Sequence, residues 1–215
     1  MVNRSTNNDK TIVAIGDSLT RWRNDVTADG ATPIQTYVSL IARARGISNW
    51  TNSGINGNTT TQMKDRRVTD VLAHRPRYVI GMGWTNDQTT NITGVYPALT
   101  WAGGGIDLAT TKSNLKLIVQ DSQNIGAEVL LVSPPPIRYE PYLSHSPQYI
   151  TMMQEIAAET SCSFIDNYTA VNSLSAGAQD NLYCAADLLG HWSWKGHAFF
   201  RDNFIQVANN HIFAS

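Results

Sequence analysis

Polar residues of the kinds used in acyl transfer occur at four separate places in the sequence. A serine lies within Gly16-Asp17-Ser18-Leu19, directly after an apolar segment, and His191 lies near the C-terminus. Between them are a turn segment that contains Gly57 and an Asn-Asp pair that contains Asn86. Acyl transfer needs a nucleophile, a base that activates it and hydrogen-bond donors for a developing oxyanion. These four residues could supply all three.

The elements that would position these residues alternate along the chain between strand-like and helix-like segments. This alternation indicates a parallel sheet covered by helices on both faces. Strands are predicted at 11–15, 47–52, 78–82, 128–132 and 163–166, and helices at 32–46, 59–73, 107–125, 146–157 and 194–212. We therefore expect a three-layer α/β/α fold with a flavodoxin-like, five-stranded parallel sheet. Residues 1–215 are predicted to form a single domain, with residues 1–10 as a flexible N-terminal extension.

The candidate residues follow the predicted strands, where the chemistry of such sheets gathers. Ser18 follows the first strand, Gly57 the second and Asn86 the third, while His191 lies between the fifth strand and the last helix. The sequence therefore predicts that they meet at the carboxyl edge of the sheet.

In this order, the segments resemble the SGNH (GDSL-type) family of esterases, lipases and deacetylases over nearly the whole chain. The four family residues map to Ser18, Gly57, Asn86 and His191. The resemblance implies an SGNH hydrolase fold and a carboxylic ester hydrolase, with Ser18 as nucleophile and His191 as general base. It also implies an oxyanion hole built from the backbone N–H groups of Ser18 and Gly57 and the side-chain amide of Asn86.

Two segments depart from the family pattern. The family usually has Asp-x-x-His, whereas position 188 is Leu188 and the nearest acid is Asp187. We predict Asp187 as the carboxylate that orients the histidine, with Asp180 or a dyad without an acid as alternatives. The third block is commonly Gly-x-Asn-Asp, and we interpret Gly83-Trp84-Thr85-Asn86-Asp87 as one residue longer.

Each candidate also has an ordinary structural role when it is taken alone. Ser18 could cap a helix, His191 could lie on the surface, and Gly57 and Asn86 could simply form turns. The interpretation is specific because the four segments that contain these residues occur together and in this order.

Tryptophans near these blocks are further candidates for binding. Trp84 and Trp192 are predicted either to pack in the core or to contact substrate, by stacking on a sugar ring or by lining a small acyl pocket. His197 is predicted to be structural, and a metal pair of His191 with His197 lacks further ligands. The predicted chemistry requires no metal and no cofactor.

Composition narrows the classes of partner. The net charge is −1, so neither nucleic acid nor an anionic membrane surface is expected as a partner. No apolar run approaches the roughly 20 residues of a membrane span. Two cysteines, Cys162 and Cys184, are expected to be buried thiols rather than a disulfide. The compartment and the oligomeric state are not predicted; a secreted or extracellular protein is one possibility.

Three functional hypotheses follow. The leading one is an esterase that removes small acyl groups, such as O-acetyl groups on carbohydrate, through an acyl-enzyme on Ser18. The first alternative is a lipase, lysophospholipase or thioesterase that takes longer acyl chains. The second is a non-catalytic carbohydrate-binding module on the same fold. A flavin or phosphate binder is disfavoured because the residues after Ser18 do not form a phosphate-binding loop.

Overall fold

Five parallel strands form the centre of the protein in a computed structural model that describes residues 8–21, 32–91, 105–138, 142–184, 190–208 and 213. The strand order is β2-β1-β3-β4-β5, and every pairing is parallel. The strands are β1 (Asn8–Gly16), β2 (Asn49–Gly54), β3 (Pro76–Met82), β4 (Glu128–Val132) and β5 (Ser163–Ile165). This confirms the predicted α/β fold with a five-stranded parallel sheet.

Seven helices flank the sheet within the described ranges. They are α1 (Tyr37–Ala44), α2 (Thr60–Asp70), α3 (Leu108–Asn124), α4 (Tyr142–Thr160), α5 (Asn167–Asn172), α6 (Ala176–Asp180) and α7 (Trp194–Ala208). Side-chain capping fixes three of the starts: Thr59 accepts from the N–H of Gln62, Asp107 from that of Thr110 and Asp166 from that of Thr169. Such caps satisfy N–H groups that the first helical turn leaves unpaired.

Two hydrophobic cores lie on opposite faces of the sheet. Alternate residues of β1 point to opposite faces, so Ile12 and Ala14 belong to one core and Val13 and Ile15 to the other. The first core packs α1 and α7 against the sheet, and the second packs α2, α3 and α4. Burial on both faces explains why these strands read as continuous apolar runs rather than alternating ones.

Several predicted boundaries were wrong. β1 begins at Asn8, inside the predicted extension, where Asn8 pairs with Pro76. The first predicted helix is divided into a 3₁₀ turn at Pro33–Gln35 and α1. α4 starts at Tyr142 and contains Pro147, whose missing N–H removes one helical bond without ending the helix.

Two short helices between β5 and α7 were not predicted. They are α5, which begins directly after β5, and α6, which follows α5. Residues 1–7 and 209–212 lie outside the described part of the chain. Both cysteines are free thiols, as expected. Among the described residues, no helix has the length and apolar character needed to cross a membrane.

Candidate active site

Ser18 lies on a tight turn at the carboxyl end of β1, which we call the nucleophile turn (Asp17–Arg21). The carbonyl of Asp17 accepts the N–H groups of Thr20 at 3.2 Å and Arg21 at 3.1 Å. The Asp17 carboxyl also accepts the Leu19 N–H at 2.8 Å. Gly16 is required before the turn because a Cβ there would lie 2.6 Å from the Met82 carbonyl oxygen. Ser18 itself is only half-buried and caps no helix within the described residues.

His191 lies directly against Ser18. Its Nε2 is 2.7 Å from the Ser18 Oγ, a hydrogen bond between residues 173 positions apart. The histidine is 8 % exposed and follows Gly190, whose φ of +81° is a conformation that favours glycine. Its carbonyl accepts the Cys184 N–H at 2.9 Å, which ties this segment to the chain after α6. The geometry is that of a nucleophile with its activating base.

The turn that carries Gly57 is joined to Asn86 by a hydrogen bond between two loops. A turn from Ile55 to Asn58 is closed by an N–H···O bond of 3.2 Å and contains Gly57 at φ +74°. The Asn86 Nδ2 donates to the Asn58 carbonyl at 2.9 Å. The same turn is anchored to the nucleophile side, since the Ile55 N–H donates to the Gly16 carbonyl at 3.1 Å. The Asn86 side-chain nitrogen has two hydrogens. One is donated to the Asn58 carbonyl, and the predicted oxyanion role requires the other.

Arg66, which the sequence analysis missed, connects the loops that carry Ser18 and Gly57. From α2 its guanidinium donates to the carbonyls of Gly16 at 2.8 Å and Ser53 at 2.7 Å. It also donates to the Asn58 side chain at 2.8 Å and pairs with Asp70 at 2.7 Å. A rigid planar fork suits this task better than a lysine would. The only local signal is the Arg–Asp pair at i, i+4 on a predicted helix.

Asp87, beside Asn86, holds a second turn in place, which we call the amide turn (Gly83–Gln88). Its carboxylate accepts the Thr60 N–H at 2.8 Å and the hydroxyls of Thr60 and Thr111, the latter at 2.6 Å. Burial raises the pKa of Asp87, and these hydrogen bonds act in the opposite direction. The amide turn is therefore fixed to the first turns of α2 and α3.

Asp17 is buried in a different setting. One carboxyl oxygen accepts the Leu19 N–H, and the other has no hydrogen-bond partner within the described residues. Burial raises the pKa of Asp17 to about 7, with the charge of Asp87 adding to the rise. Below pH 7, Asp17 therefore supports the turn mainly as a neutral carboxyl.

His197 is a structural residue, in agreement with the prediction. It is 1 % exposed, and its Nδ1 accepts the Tyr37 N–H at 3.3 Å. Burial lowers the pKa of His197 to about 3, so the imidazole is neutral. The Tyr37 hydroxyl in turn hydrogen-bonds the Thr20 hydroxyl at 3.0 Å. His197 thus supports the nucleophile turn indirectly, through Tyr37 and Thr20.

The two tryptophans predicted as possible substrate contacts are core residues. Trp84 is 1 % exposed, stacks on Tyr149 and directs its Nε1 to the Met153 sulfur at 3.2 Å. Trp192 is 2 % exposed and stacks on Tyr183. Their burial supports the core-packing alternative over substrate contact.

Trp84 also changes the interpretation of the third block. Its φ is +131°, a region that only glycine adopts without strain. Trp84 stands two residues before Asn86, the place of glycine in Gly-x-Asn-Asp. This conformation favours an interpretation in which Trp84 takes the place of that glycine over one in which the segment is one residue longer.

The predicted acid, Asp187, lies in residues 185–189, outside the described part of the chain. The alternative acid, Asp180, has an exposed carboxylate that forms an ion pair with Arg138, which gives no support for a role at His191. Across the described ranges, no three His, Cys, Asp or Glu side chains cluster as a metal site would require.

The fold is a parallel sheet between two layers of helices, with a serine–histidine pair beyond the end of β1. Comparison with known proteins gives the family. The model of the GDSL-like lipase/acylhydrolase family matches residues 14–199. The chain belongs to this family, and it is accordingly a carboxylic ester hydrolase. The match runs from β1 into α7 and so includes Ser18, Gly57, Asn86 and His191.

Relatives and solved structures agree with this assignment. An uncharacterized lipoprotein of Bacillus subtilis, YqeF, is 32 % identical over 127 residues, which are 59 % of this chain and 49 % of that protein. The match thus spans about half the length of that relative. A lipase/acylhydrolase from Enterococcus faecalis has a TM-score of 0.73 at 22 % identity, covering 94 % and 97 % of the two chains. An acetylxylan esterase from Geobacillus stearothermophilus has a TM-score of 0.69 at 22 % identity, covering 92 % and 93 %.

Proposed function

We propose that the protein hydrolyses short acyl esters, in particular O-acetyl groups on carbohydrate, through an acyl-enzyme on Ser18. The observation that carries the proposal is the 2.7 Å contact between the Ser18 Oγ and the His191 Nε2. A hydroxyl at this distance from an imidazole nitrogen can lose its proton as it attacks a carbonyl. The acetylxylan esterases among the structural neighbours suggest acetylated polysaccharide as the substrate class.

In the proposed acylation step the Ser18 Oγ bonds to the ester carbonyl carbon, and the hydroxyl proton passes to the His191 Nε2. The negative charge on the carbonyl oxygen is stabilised by the N–H groups of Ser18 and Gly57 and by the Asn86 amide. When the carbon–oxygen ester bond breaks, the proton moves from His191 to the departing alcohol. Asp187 is proposed to orient the imidazole.

Deacylation repeats the sequence with water. His191 removes a proton from the attacking water, the second oxyanion is stabilised by the same donors, and the proton returns to the Ser18 Oγ as the acid leaves. Only the acyl group stays on the enzyme between the two steps. A small acyl group would need little binding surface beyond the donors themselves.

A substrate panel tests the proposal. Wild type and Ser18→Ala are compared on p-nitrophenyl acetate, p-nitrophenyl decanoate and acetylated xylooligosaccharide, with Ser173→Ala, an exposed serine at the end of α5, as the matched control. We expect turnover to fall by roughly 10⁴-fold or more in Ser18→Ala alone. Faster turnover of the decanoate than of the acetate would favour the lipase or thioesterase alternative instead.

Covalent labelling separates an enzyme from a binding module. A fluorophosphonate should add to Ser18, which peptide mass spectrometry would locate, and Ser18→Ala should not be labelled. Xylooligosaccharide binding without labelling of Ser18 would support the non-catalytic module and refute the acyl-enzyme.

The proposal includes an extracellular site of action, because a polysaccharide substrate is reached outside the cell. The relative YqeF is named a lipoprotein, which agrees with that location. Detection of the native protein in the cell fraction alone, by antibody after separation of cells from medium and surface proteins, would contradict it.

A further inference from the structure

Trp194 differs from the two buried tryptophans of the site segments. It is the first residue of α7, three positions after His191, and 42 % of its surface is exposed. Trp84 and Trp192 are 1 % and 2 % exposed. Trp194 therefore leaves a large part of its aromatic surface accessible to a ligand, and tryptophan is enriched where proteins bind partners.

The chemistry fixes which part of an ester lies near Trp194. The alcohol oxygen that leaves must come within hydrogen-bond reach of His191, because this residue returns the proton. The alcohol part of the substrate therefore extends from the His191 segment. Three residues of chain span at most about 10 Å, so Trp194 lies within the length of a short oligosaccharide attached at that oxygen.

The backbone beneath Trp194 is held firmly. The Ser193 N–H donates to the Leu182 carbonyl at 2.8 Å, and the Ser193 hydroxyl accepts the N–H groups of Lys195 at 3.2 Å and Gly196 at 3.4 Å. Gly196 allows this segment to pack closely, since a Cβ there would lie 2.2 Å from the Trp192 ring. The exposed indole is therefore presented by an ordered helix start, and little entropy is lost when a ligand binds it.

We propose that Trp194 is the stacking platform for a sugar ring on the alcohol side of the ester. The apolar C–H face of a pyranose would lie on the indole, while its hydroxyl groups stay hydrated. The Lys195 ammonium lies over the Trp194 ring, 5.8 Å from its centre. A sugar would therefore stack on the other face or displace this long side chain, whose ammonium could then donate to a sugar hydroxyl. This inference rests on the proposed function, since it names how the carbohydrate part of that substrate is held.

Kinetics on two acetyl esters test the platform. Acetylated xylooligosaccharide carries a sugar, whereas ethyl acetate, followed in a pH-stat, carries no group large enough to reach Trp194. We expect Trp194→Ala to raise KM for the oligosaccharide about tenfold at nearly unchanged kcat, because a contact made equally in the ground and transition states affects binding. Ethyl acetate kinetics should not change, and Trp194→Phe should keep much of the oligosaccharide affinity.

Ile205→Ala is the matched control. Ile205 is also exposed and lies on α7, eleven residues beyond Trp194, which is about 16 Å along the helix axis. We expect no change in this variant on either substrate. Equal losses on both esters in Trp194→Ala, or no loss on the oligosaccharide, would overturn the platform while leaving the proposed function intact.

A binding measurement keeps the two ideas separable. Unacetylated xylooligosaccharide is titrated into Ser18→Ala and into Ser18→Ala/Trp194→Ala by calorimetry. Loss of binding in the double variant supports the platform even if the acyl specificity proves different. If wild type cleaves ethyl acetate and neither cleaves nor binds the saccharides, both the platform and the carbohydrate substrate are refuted.

Discussion

Two turns at the same edge of the sheet are supported in different ways. Both the nucleophile turn and the amide turn follow central strands, and each contains a buried aspartate, Asp17 at 0 % and Asp87 at 1 % exposure. Asp87 accepts three hydrogen bonds, from a backbone N–H and two hydroxyls. For Asp17 a single donor, the Leu19 N–H, pairs with the carboxyl among the described residues.

The difference shows that burial alone does not decide how a carboxyl serves a site. Asp87 is fixed by donors that do not titrate, namely Thr60 of α2 and Thr111 of α3. The nucleophile turn instead rests on Asp17 and, through Thr20 and Tyr37, on His197. The nucleophile turn therefore depends on two groups with strongly shifted pKa values, whereas the raised pKa of Asp87 is opposed by its three hydrogen bonds. We expect pH to affect the nucleophile turn more strongly, and loss of packing or hydrogen bonds to affect the amide turn more strongly.

The largest effect should come from Trp84 in the amide turn. Removal of this core indole in Trp84→Ala should cost about 3–5 kcal/mol of unfolding free energy. Trp84→Gly should be more stable than Trp84→Ala by about 1 kcal/mol, because φ +131° strains every residue with a Cβ. Urea denaturation measures both variants.

Leu19 in the nucleophile turn is the control for this reversal. It is 2 % exposed and lacks a positive φ, so Leu19→Gly should be less stable than Leu19→Ala, the usual order. The strain at Trp84 would be refuted if both sites gave the usual order.

Asp87→Ala should have the next largest effect. The substitution leaves the Thr60 N–H and two hydroxyls without their acceptor in a buried place, which should cost about 3 kcal/mol. Activity should also fall, since Asn86 is the next residue along the amide turn. Denaturation and p-nitrophenyl acetate turnover are measured together; a loss below about 1 kcal/mol would mean that the threonines find other partners.

The arrangement of the strands was predictable because it follows from local pattern. The strand Glu128–Val132 was placed at its observed bounds, and the predicted strand ends located Ser18, Gly57 and Asn86 at one edge. The structure brings His191, which follows no strand, to Ser18 at the same edge. Helix starts were less predictable. The start of α4 was misplaced because Pro147 is a local start signal, whereas the helix already begins at Tyr142.

What could not be predicted depends on contacts distant in sequence. Arg66 serves the site through the carbonyls of Gly16 and Ser53, and no spacing rule connects these positions. The sequence also did not predict which tryptophan is exposed. Trp192 and Trp194 are two residues apart, yet Trp192 packs on Tyr183 and Trp194 is partly exposed to solvent. Proximity to a motif did not reveal burial.

His197 should make stability fall in acid. Its folded pKa is about 3, below the unfolded value of about 6.5, so the unfolded chain binds more protons between these values. The stability associated with neutral His197 is complete above pH 6.5 and is lost as the pH falls. Relative to His197→Asn, which keeps an acceptor for the Tyr37 N–H, wild type should lose about 2 kcal/mol between pH 7.5 and pH 5. An unchanged difference across this range would show that His197 becomes protonated without cost.

Asp17 should act in the opposite direction to His197. Its folded pKa of about 7 exceeds the usual value of 3.8, so its contribution is complete below pH 3.8 and is lost as the pH rises toward 7. Asp17→Asn mimics the neutral carboxyl and should gain about 1.4 kcal/mol of unfolding free energy relative to wild type from pH 5 to pH 6.

Between pH 5 and pH 6 the stability changes that arise from Asp17 and His197 nearly cancel in wild type. Asp17→Asn should therefore become more stable as the pH rises, and His197→Asn should become less stable. The free energy of unfolding of the double variant should change with pH as little as that of wild type. If Asp17→Asn stayed parallel to wild type, the Asp17 carboxyl would be ionised in the folded protein, and the contrast between the two turns would lie in packing alone.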